Sequence, residues 1–315
     1  MERAAVVIPV YNRENLIKRC LDSVYAQTYR PLQVVVVDNN STDGTLASVE
    51  GWIKSHNLRN DGDFEITLVA ESKPGAAAAR NAGLKLVTSD WTLFFDSDDT
   101  MHPELVSEAM ARTAEADIVC WRVKIVALNA LDSYRPYHKT RLLSRQVYNC
   151  ILSTQSCMVR TEFVRGVGGW CDEAMVWNDW ELGVRIMLAE PRMAWVDRCL
   201  VTVYQQAVSI TGRAFSDRPG EWEKTIGIIQ ANLERGVESG RVAPRLARKT
   251  VAQLDYRRAI LAAHYRREGH PELCERLMTE TLQRSSLPGW RKLLLRAVCR
   301  YTAAGGRAAY YLWGL

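Results

Sequence analysis

The chain has 315 residues, enough to bury a sizeable core and more than one ordinary domain needs. Its composition, 47% hydrophobic and 24% charged, is that of a globular protein. The net charge of +5 suits an anionic substrate or a membrane surface and is too mild to indicate a nucleic-acid partner by itself.

The opening MERAAVVIPVYN holds an apolar run that is short and broken by Pro9, so no signal peptide is expected. AAVVIPV reads as a buried strand and ENLIKRCLDSVYAQ as an amphipathic helix. LQVVVVD is a second strand and TLASVEGWIKSH a second helix. FEITLVAE, GAAAARNAGLKLV and WTLFFD continue as strand, helix and strand. Apolar β-branched strands alternating with helices argue for βαβ units and a mostly parallel sheet covered on both faces. Ligands of such sheets bind at the carboxyl ends of the strands. The polar clusters PVYN, DNNSTDGT and DSDD fall at those ends.

Beyond residue 100 the pattern changes. VCWRVKIVAL alternates, with Val119, Trp121, Val123 and Ile125 on one face and Arg122 and Lys124 on the other, as in a half-exposed and antiparallel strand. VGGWCDEAMVWNDWELGVRIMLAE contains a turn and then a helix. From about Glu221 the text is helical and increasingly basic. Nowhere do eighteen consecutive apolar residues occur, so no membrane-spanning helix is expected. The eight cysteines form no C-x-x-C pair and sit mostly in apolar stretches, which reads as buried reduced thiols.

The segment WTLFFDSDDTMHPE sets Asp96, Asp98 and Asp99 within four residues. Like charges this close repel, and a cation would relieve them. Asp96-Ser97-Asp98-Asp99-Thr100 fits the D-x-D-x-T motif of a haloacid-dehalogenase-type phosphatase, with Asp96 as nucleophile and Asp98 as general acid/base. That family carries the motif on the first strand of its core, whereas a complete βαβαβα stretch precedes it here.

Four segments in order, VVIPVYNRENLIKRCLDSVYAQTY, VVVVDNNSTDGT, KPGAAAARNAGL with FFDSDD, and GGWCDEAMVWNDWELGVRI, resemble a family 2 glycosyltransferase of the inverting type and GT-A fold. They cover about the first 210 residues. The fold class expected is therefore α/β: a Rossmann-like, mostly parallel GT-A sheet with antiparallel additions, then a helical C-terminal region. Residues 1–100 would form the nucleotide-sugar-binding half, 101–212 the acceptor-binding half and 213–315 the helical, basic region.

The resemblance implies roles for single residues. Asp98 would bind Mn²⁺ or Mg²⁺, hard cations that suit oxygen ligands and bridge the two phosphates of the donor. Asp96 and Ser97 would face the ribose and the metal's surroundings. Pro9, Val10 and Tyr11 would lie against the nucleotide, with Asp38 and Asn39 beside the base; many relatives carry an acid where this chain has Asn39. Arg80 would reach the nucleotide or its phosphates. Asp179 would be the general base that deprotonates the acceptor hydroxyl, so that attack opposite the departing diphosphate inverts configuration. Asn178 and Glu181 read as a capping pair opening that helix, and Glu181 and Arg185 as an ion pair. Trp170, Trp177 and Trp180 read as a sugar-stacking wall or as core, His102 as a loop residue beside the acidic cluster, and Asp99 or Thr100 as the cap of a helix near Pro103.

Near the end, PGWRKLLLRAVCRYTAAGGRAAYYLWGL has no acidic side chain. Lys292, Arg296 and Arg300 form a basic stripe next to Trp290, Leu294, Val298 and Tyr301. Such a helix either lies on an anionic membrane surface, with Tyr310, Tyr311 and Trp313 at headgroup depth, or packs its apolar side on the catalytic domain. The function expected is transfer of a sugar from a nucleotide-sugar donor to a hydroxyl of a glycan or lipid-linked acceptor in capsule, lipopolysaccharide or other envelope polysaccharide synthesis. The expected location is cytoplasmic or peripheral on the inner face of the plasma membrane, with no nucleic-acid partner. The alternatives are a catalytically weak nucleotide-sugar or glycan-binding protein, and the phosphatase.

Overall fold

A computed structural model describes residues 2–58, 62–128, 130–206 and 214–306. The first half follows the expected alternation: β1 (Ala4–Val10), α1 (Ile17–Tyr25), β2 (Leu32–Asp38), α2 (Thr45–Ser55), β3 (Phe64–Ala70), α3 (Ala76–Leu86) and β4 (Trp91–Phe94). Then come β5 (Thr100–Met101), α4 (Leu105–Met110), β6 (Ile118–Val126), β7 (Ser133–Tyr134), α5 (Leu142–Asn149), β8 (Cys157–Arg160), α6 (Thr161–Gly166), α7 (Asn178–Leu188) and β9 (Met193–Tyr204). Four helices close the described chain: α8 (Glu221–Glu238), α9 (Pro244–Arg267), α10 (Pro271–Arg284) and α11 (Gly289–Ala303).

The strands form one sheet in the order β3-β2-β1-β4-β8-β6-β9-β5, with β7 on β6. Strands β3, β2, β1 and β4 are mutually parallel. Strand β8 runs antiparallel between β4 and β6. The antiparallel expectation for β6 holds for its pairing with β8 and β7, but β6 pairs parallel with β9 along its length. It is also more buried than the alternation suggested. Ile118 and Cys120 face one core and Val119, Trp121 and Val123 another, because the sheet is covered on both sides there.

Ala4, Val6, Ile8 and Val10 of β1 pack against α1 and α4 on one face of the sheet. Ala5 and Val7 pack against α3 and α7 on the other. The run of small residues in α3 allows a close approach. A Cβ on Gly83 would meet Val7 Cγ1 inside contact distance and lie 3.1 Å from Val37 Cγ2. Helix α7 is apolar almost all round and buried on two sides. Its Leu182, Ile186 and Met187 face the sheet, while Trp180, Val184 and Leu188 join a second core built from α8 to α11. The basic tail helix thus belongs to the core: α11 buries Leu295, Val298 and Cys299. Its Trp290, Leu293, Arg296, Arg300 and Tyr301 remain exposed. Tyr310, Tyr311 and Trp313 lie outside the described residues.

Candidate active site

Register brings the polar clusters together. Val10 pairs with Asp38, and Val7 with Phe94, so the chain leaves β1, β2 and β4 at the same edge of the sheet. Pro9 and Val10 are buried strand residues, while Tyr11 stands 55% exposed just beyond them. Asp38 is buried. Its Oδ2 accepts from the Ser41 N–H at 3.2 Å, and its Oδ1 has no hydrogen-bond partner among the described residues. A buried acceptor left open at a strand end is a place where a ligand donor is missing.

Asn39 has a different part from the one expected. Its Nδ2 donates to the carbonyls of Glu71 and Lys73, both at 2.8 Å, and its Oδ1 accepts from Gly75 N–H at 2.7 Å. The amide therefore pins the loop that leads into α3, a task needing donors and acceptor together, which a carboxylate could not do.

The acidic cluster is held by residues from four elements. Arg80, on α3 and only 5% exposed, donates from Nη2 to Asp96 Oδ1 at 2.7 Å and from Nη1 to Asn178 Oδ1 at 3.2 Å. Its guanidinium lies 4.3 Å over the Trp170 ring. Both of its terminal nitrogens are bonded to protein groups, while its buried Nε has no hydrogen-bond partner among the described residues. Gln155, which the sequence did not single out, donates from Nε2 to Asp96 Oδ2 at 2.6 Å and to Asp99 Oδ2. Asp99 is not a helix cap. It is buried, its Oδ1 accepts from Tyr204 N–H at 3.0 Å, and α4 starts after Glu104. Burial, with Asp96 and Asp98 beside it, pushes the Asp99 carboxyl up to about 8.

Asp98 has more freedom. Arg13 Nε stands 3.4 Å from its Oδ2, and the Asp98 carbonyl accepts from Arg19 Nη2 at 2.6 Å. Burial and Asp96 raise its carboxyl above the usual range, against the pull of Arg13. Ser97, between the two acids, is buried. Among the described residues no group of three or more His, Cys, Asp or Glu surrounds one point. The Asp98 carboxylate, which the Arg13 contact leaves partly uncommitted, offers a hard oxygen of the kind Mn²⁺ and Mg²⁺ take as ligands. His102 is outside this cluster: its Nδ1 accepts from Glu104 N–H at 3.3 Å, on the surface.

At the far side, Trp177 sits at the left-handed φ of 51° and precedes α7. A bulky residue in that region is uncommon and often marks a functional turn. Asn178 is the first helical residue and not the cap, because its side-chain oxygen is taken by Arg80. Asp179 is half-buried in the first turn. Its Oδ1 accepts from Trp180 N–H at 2.9 Å, and its Oδ2 has no hydrogen bond among the described residues. The Glu181–Arg185 pair forms as expected, with both contacts at 2.6 Å, and Asn232 of α8 adds a third hydrogen bond to Glu181. Trp170 and Trp180 are buried, so they are core and not a sugar wall. Trp177 packs on Trp180, Phe215 and Trp222.

The sequence profile of the family described as Glycosyl transferase family 2 matches residues 5–166, just over half of the chain. The chain belongs to that family. Its fold is GT-A. The glycosyltransferase GlyA of Streptococcus pneumoniae is 33% identical over 119 residues, which are 37% of this chain and 16% of GlyA. The chain thus spans a small part of that relative, as it does of others it matches. The structure of Staphylococcus aureus TarS 1-349 in complex with UDP-GlcNAc superimposes with a TM-score of 0.64 at 20% identity, covering 98% of this chain and 89% of that one. A mannosyltransferase from Pyrobaculum calidifontis in complex with GDP-Man and Mn²⁺ gives 0.57 at 21% identity, covering 99% and 85%. Those neighbours share the fold over nearly the whole length of this chain. The phosphatase reading falls away. The family match over residues 5–166 and the fold of the solved neighbours are not those of a haloacid-dehalogenase-type phosphatase.

Proposed function

We propose that this glycosyltransferase moves a sugar, with inversion, from a nucleotide-sugar donor to a hydroxyl on a glycan or lipid-linked acceptor. The observation that carries the reading is the Arg80 fork, which ties Asp96 of the acidic cluster to Asn178 beside Asp179. Residues 1–100 hold the donor: Tyr11 flanks the nucleotide, and the open Oδ1 of Asp38 accepts from its ribose or base. Residues 101–212 present the acceptor, and helices α8 to α11 brace α7. Asp98 would be the residue that holds Mn²⁺ or Mg²⁺ beside the donor. Such a cation, when bound, neutralises charge growing on the departing diphosphate. Asp179 takes the proton of the attacking hydroxyl at Oδ2, while the Trp180 N–H keeps Oδ1 in place. General base catalysis of this kind contributes roughly 10²–10⁴-fold.

TarS is named a poly(ribitol-phosphate) β-N-acetylglucosaminyltransferase, which supports an envelope polysaccharide as the setting here too. No helix among the described residues is long and apolar enough to cross a membrane. The outward face of α11 supplies a peripheral contact instead. Purified protein with Mn²⁺ and a panel of nucleotide sugars should release nucleoside diphosphate, and EDTA should stop it. Donor binding without any release would favour the binding-protein alternative.

A further inference from the structure

Arg13 faces Asp98 from the loop between β1 and α1, and the two ends of this residue are held differently. Its backbone is fixed. The N–H donates to Thr45 Oγ1 at 2.7 Å, and the carbonyl accepts from the Leu16 and Ile17 N–H groups at 2.9 and 3.0 Å. The preceding Asn12, at a left-handed φ of 50°, is laced to the loop after β2: its Oδ1 accepts from Thr42 N–H at 2.8 Å and its N–H donates to Ser41 Oγ at 3.1 Å. The guanidinium is held more loosely. Its Nε stands 3.4 Å from Asp98 Oδ2, and Nη1 donates to the carbonyls of Asn12 at 3.1 Å and Tyr11 at 3.4 Å. Among the described residues Nη2 donates no hydrogen bond.

The other two arginines around the acids are committed. Arg80 reaches Asp96 at 2.7 Å, lies over the Trp170 ring and has a side chain 6% exposed, against 26% for Arg13. Arg19 donates from Nη2 to the Asp98 carbonyl at 2.6 Å, with its Cζ 3.9 Å over the Tyr204 ring. Arg13 is thus the arginine whose charge can leave its carboxylate at little cost, since a long, partly exposed ion pair is weak. It cannot stay there unopposed. A guanidinium 3.4 Å from the Asp98 carboxylate repels a divalent cation drawn to the same group.

We propose that Arg13 is a displaceable counter-ion of Asp98 that couples metal binding to donor binding. Its guanidinium neutralises the carboxylate, yields it to Mn²⁺ or Mg²⁺, and turns on its fixed backbone toward the donor diphosphate, whose oxygens match an arginine fork. The Nη1 contact with the Tyr11 carbonyl already sets it beside the residue that flanks the nucleotide. The proposal rests on the reading of Asp98 as the metal ligand. A metal binding alone must evict Arg13 without compensation, whereas a diphosphate gives the evicted guanidinium a partner. Each ligand therefore strengthens the other by the same factor.

The test uses the full chain and reads binding, not turnover. Without nucleotide, the electron paramagnetic resonance signal of free Mn²⁺ gives its affinity. Arg13→Gln should tighten Mn²⁺ about fivefold or more, the lower end of coupling between linked sites. In saturating Mn²⁺ the same variant should weaken UDP or GDP, whichever the wild type binds, about tenfold, the scale of one lost charge-assisted hydrogen bond. Damage to the loop alone would weaken both ligands. Arg13→Lys keeps a charge against the metal but loses the fork, so Mn²⁺ affinity should stay near wild type while nucleoside diphosphate weakens several-fold; it decides the matter if the Gln variant does not fold. Mn²⁺ affinity unchanged or lowered in Arg13→Gln would overturn the proposal, and so would unchanged nucleoside diphosphate affinity in the folded variants. Asp98→Asn checks the reading beneath it. It should lose Mn²⁺, and Mn²⁺ retained at wild-type affinity there would strike Asp98 as the ligand.

Discussion

Arg80 and Asp96 form an ion pair at 2.7 Å that is shielded on the arginine side by the face of Trp170. The pair fixes Asp96 just beyond the end of β4, and through Asn178 the same guanidinium holds the start of α7. Lysine cannot replace it, because a single ammonium neither spans both partners nor stacks on the indole in the same way. Arg80→Lys should lower the transfer rate roughly tenfold or more, the effect of losing one charge-assisted hydrogen bond of about 1.5–3 kcal/mol. Steady-state rates at saturating donor measure it, and a wild-type rate would remove Arg80 from the positioning scheme.

Asp98 is the acid of the cluster whose side chain is least committed to protein partners. Asp98→Asn and chelation by EDTA should each lower transfer by at least about a hundredfold, the scale of lost electrostatic stabilisation of a developing charge. Added Mn²⁺ should restore the chelated wild type and not the variant. Full activity in chelator would end the metal-dependent reading.

Asp179→Asn keeps the shape of the first turn of α7 and removes the carboxylate proposed as the base. Nucleoside diphosphate affinity should stay near wild type while the chemical rate falls roughly 10²-fold or more. If donor affinity collapsed and the rate at saturation survived, Asp179 would be a binding residue.

Gly83 tests how tightly α3 must sit on the sheet. An alanine Cβ there would press on Val7 Cγ1 and come within 3.1 Å of Val37 Cγ2, both in buried central strands. Neither strand can yield without moving its neighbours. Gly83→Ala should therefore cost about 1–3 kcal/mol of stability, the usual penalty for overpacking a core. Denaturant melts read the loss directly. A variant as stable as wild type would show that the helix can lift away freely.

The parallel half was legible because its signals are local. Val34 to Val37 run straight into Asp38, and each helix carries its own period, so elements and strand-end clusters emerge together. Gln155 was not legible. It lies in ILSTQSCMVR, a loop and a short strand with no motif, and its role exists only once β8 has been laid between β4 and β6. The same holds for β9, whose Asp197 and Arg198 interrupt its apolar run and whose partners are far away in sequence. Asn178 misled for a related reason. As an amide before a helical run it has the form of a cap, yet Arg80, 98 residues earlier, claims its oxygen. Long-range polar contacts of this kind leave no periodic trace.

The tail helix has two faces, and a test must keep them apart. Cutting the chain before α11 would strip Leu295, Val298 and Cys299 from the second core, which also holds Trp180 and Val184 of α7. Truncation would then disturb α7 whatever the tail does at a membrane. Charge reversal of the exposed residues avoids this. Arg296 and Arg300 are solvent-facing, four residues apart, beside exposed Trp290, Leu293 and Tyr301. Each basic residue near an anionic surface contributes about 1 kcal/mol, and indole and phenol rings settle at headgroup depth. Arg296→Glu with Arg300→Glu should therefore weaken sedimentation with anionic liposomes by at least tenfold, about 1.4 kcal/mol or more. The difference should shrink at high salt, where surface charges are screened. Thermal stability and nucleoside diphosphate binding should stay as in the wild type, because neither residue lines the second core. If the doubly reversed protein sedimented as strongly as the wild type, α11 would be a bracing helix for α7 and nothing more.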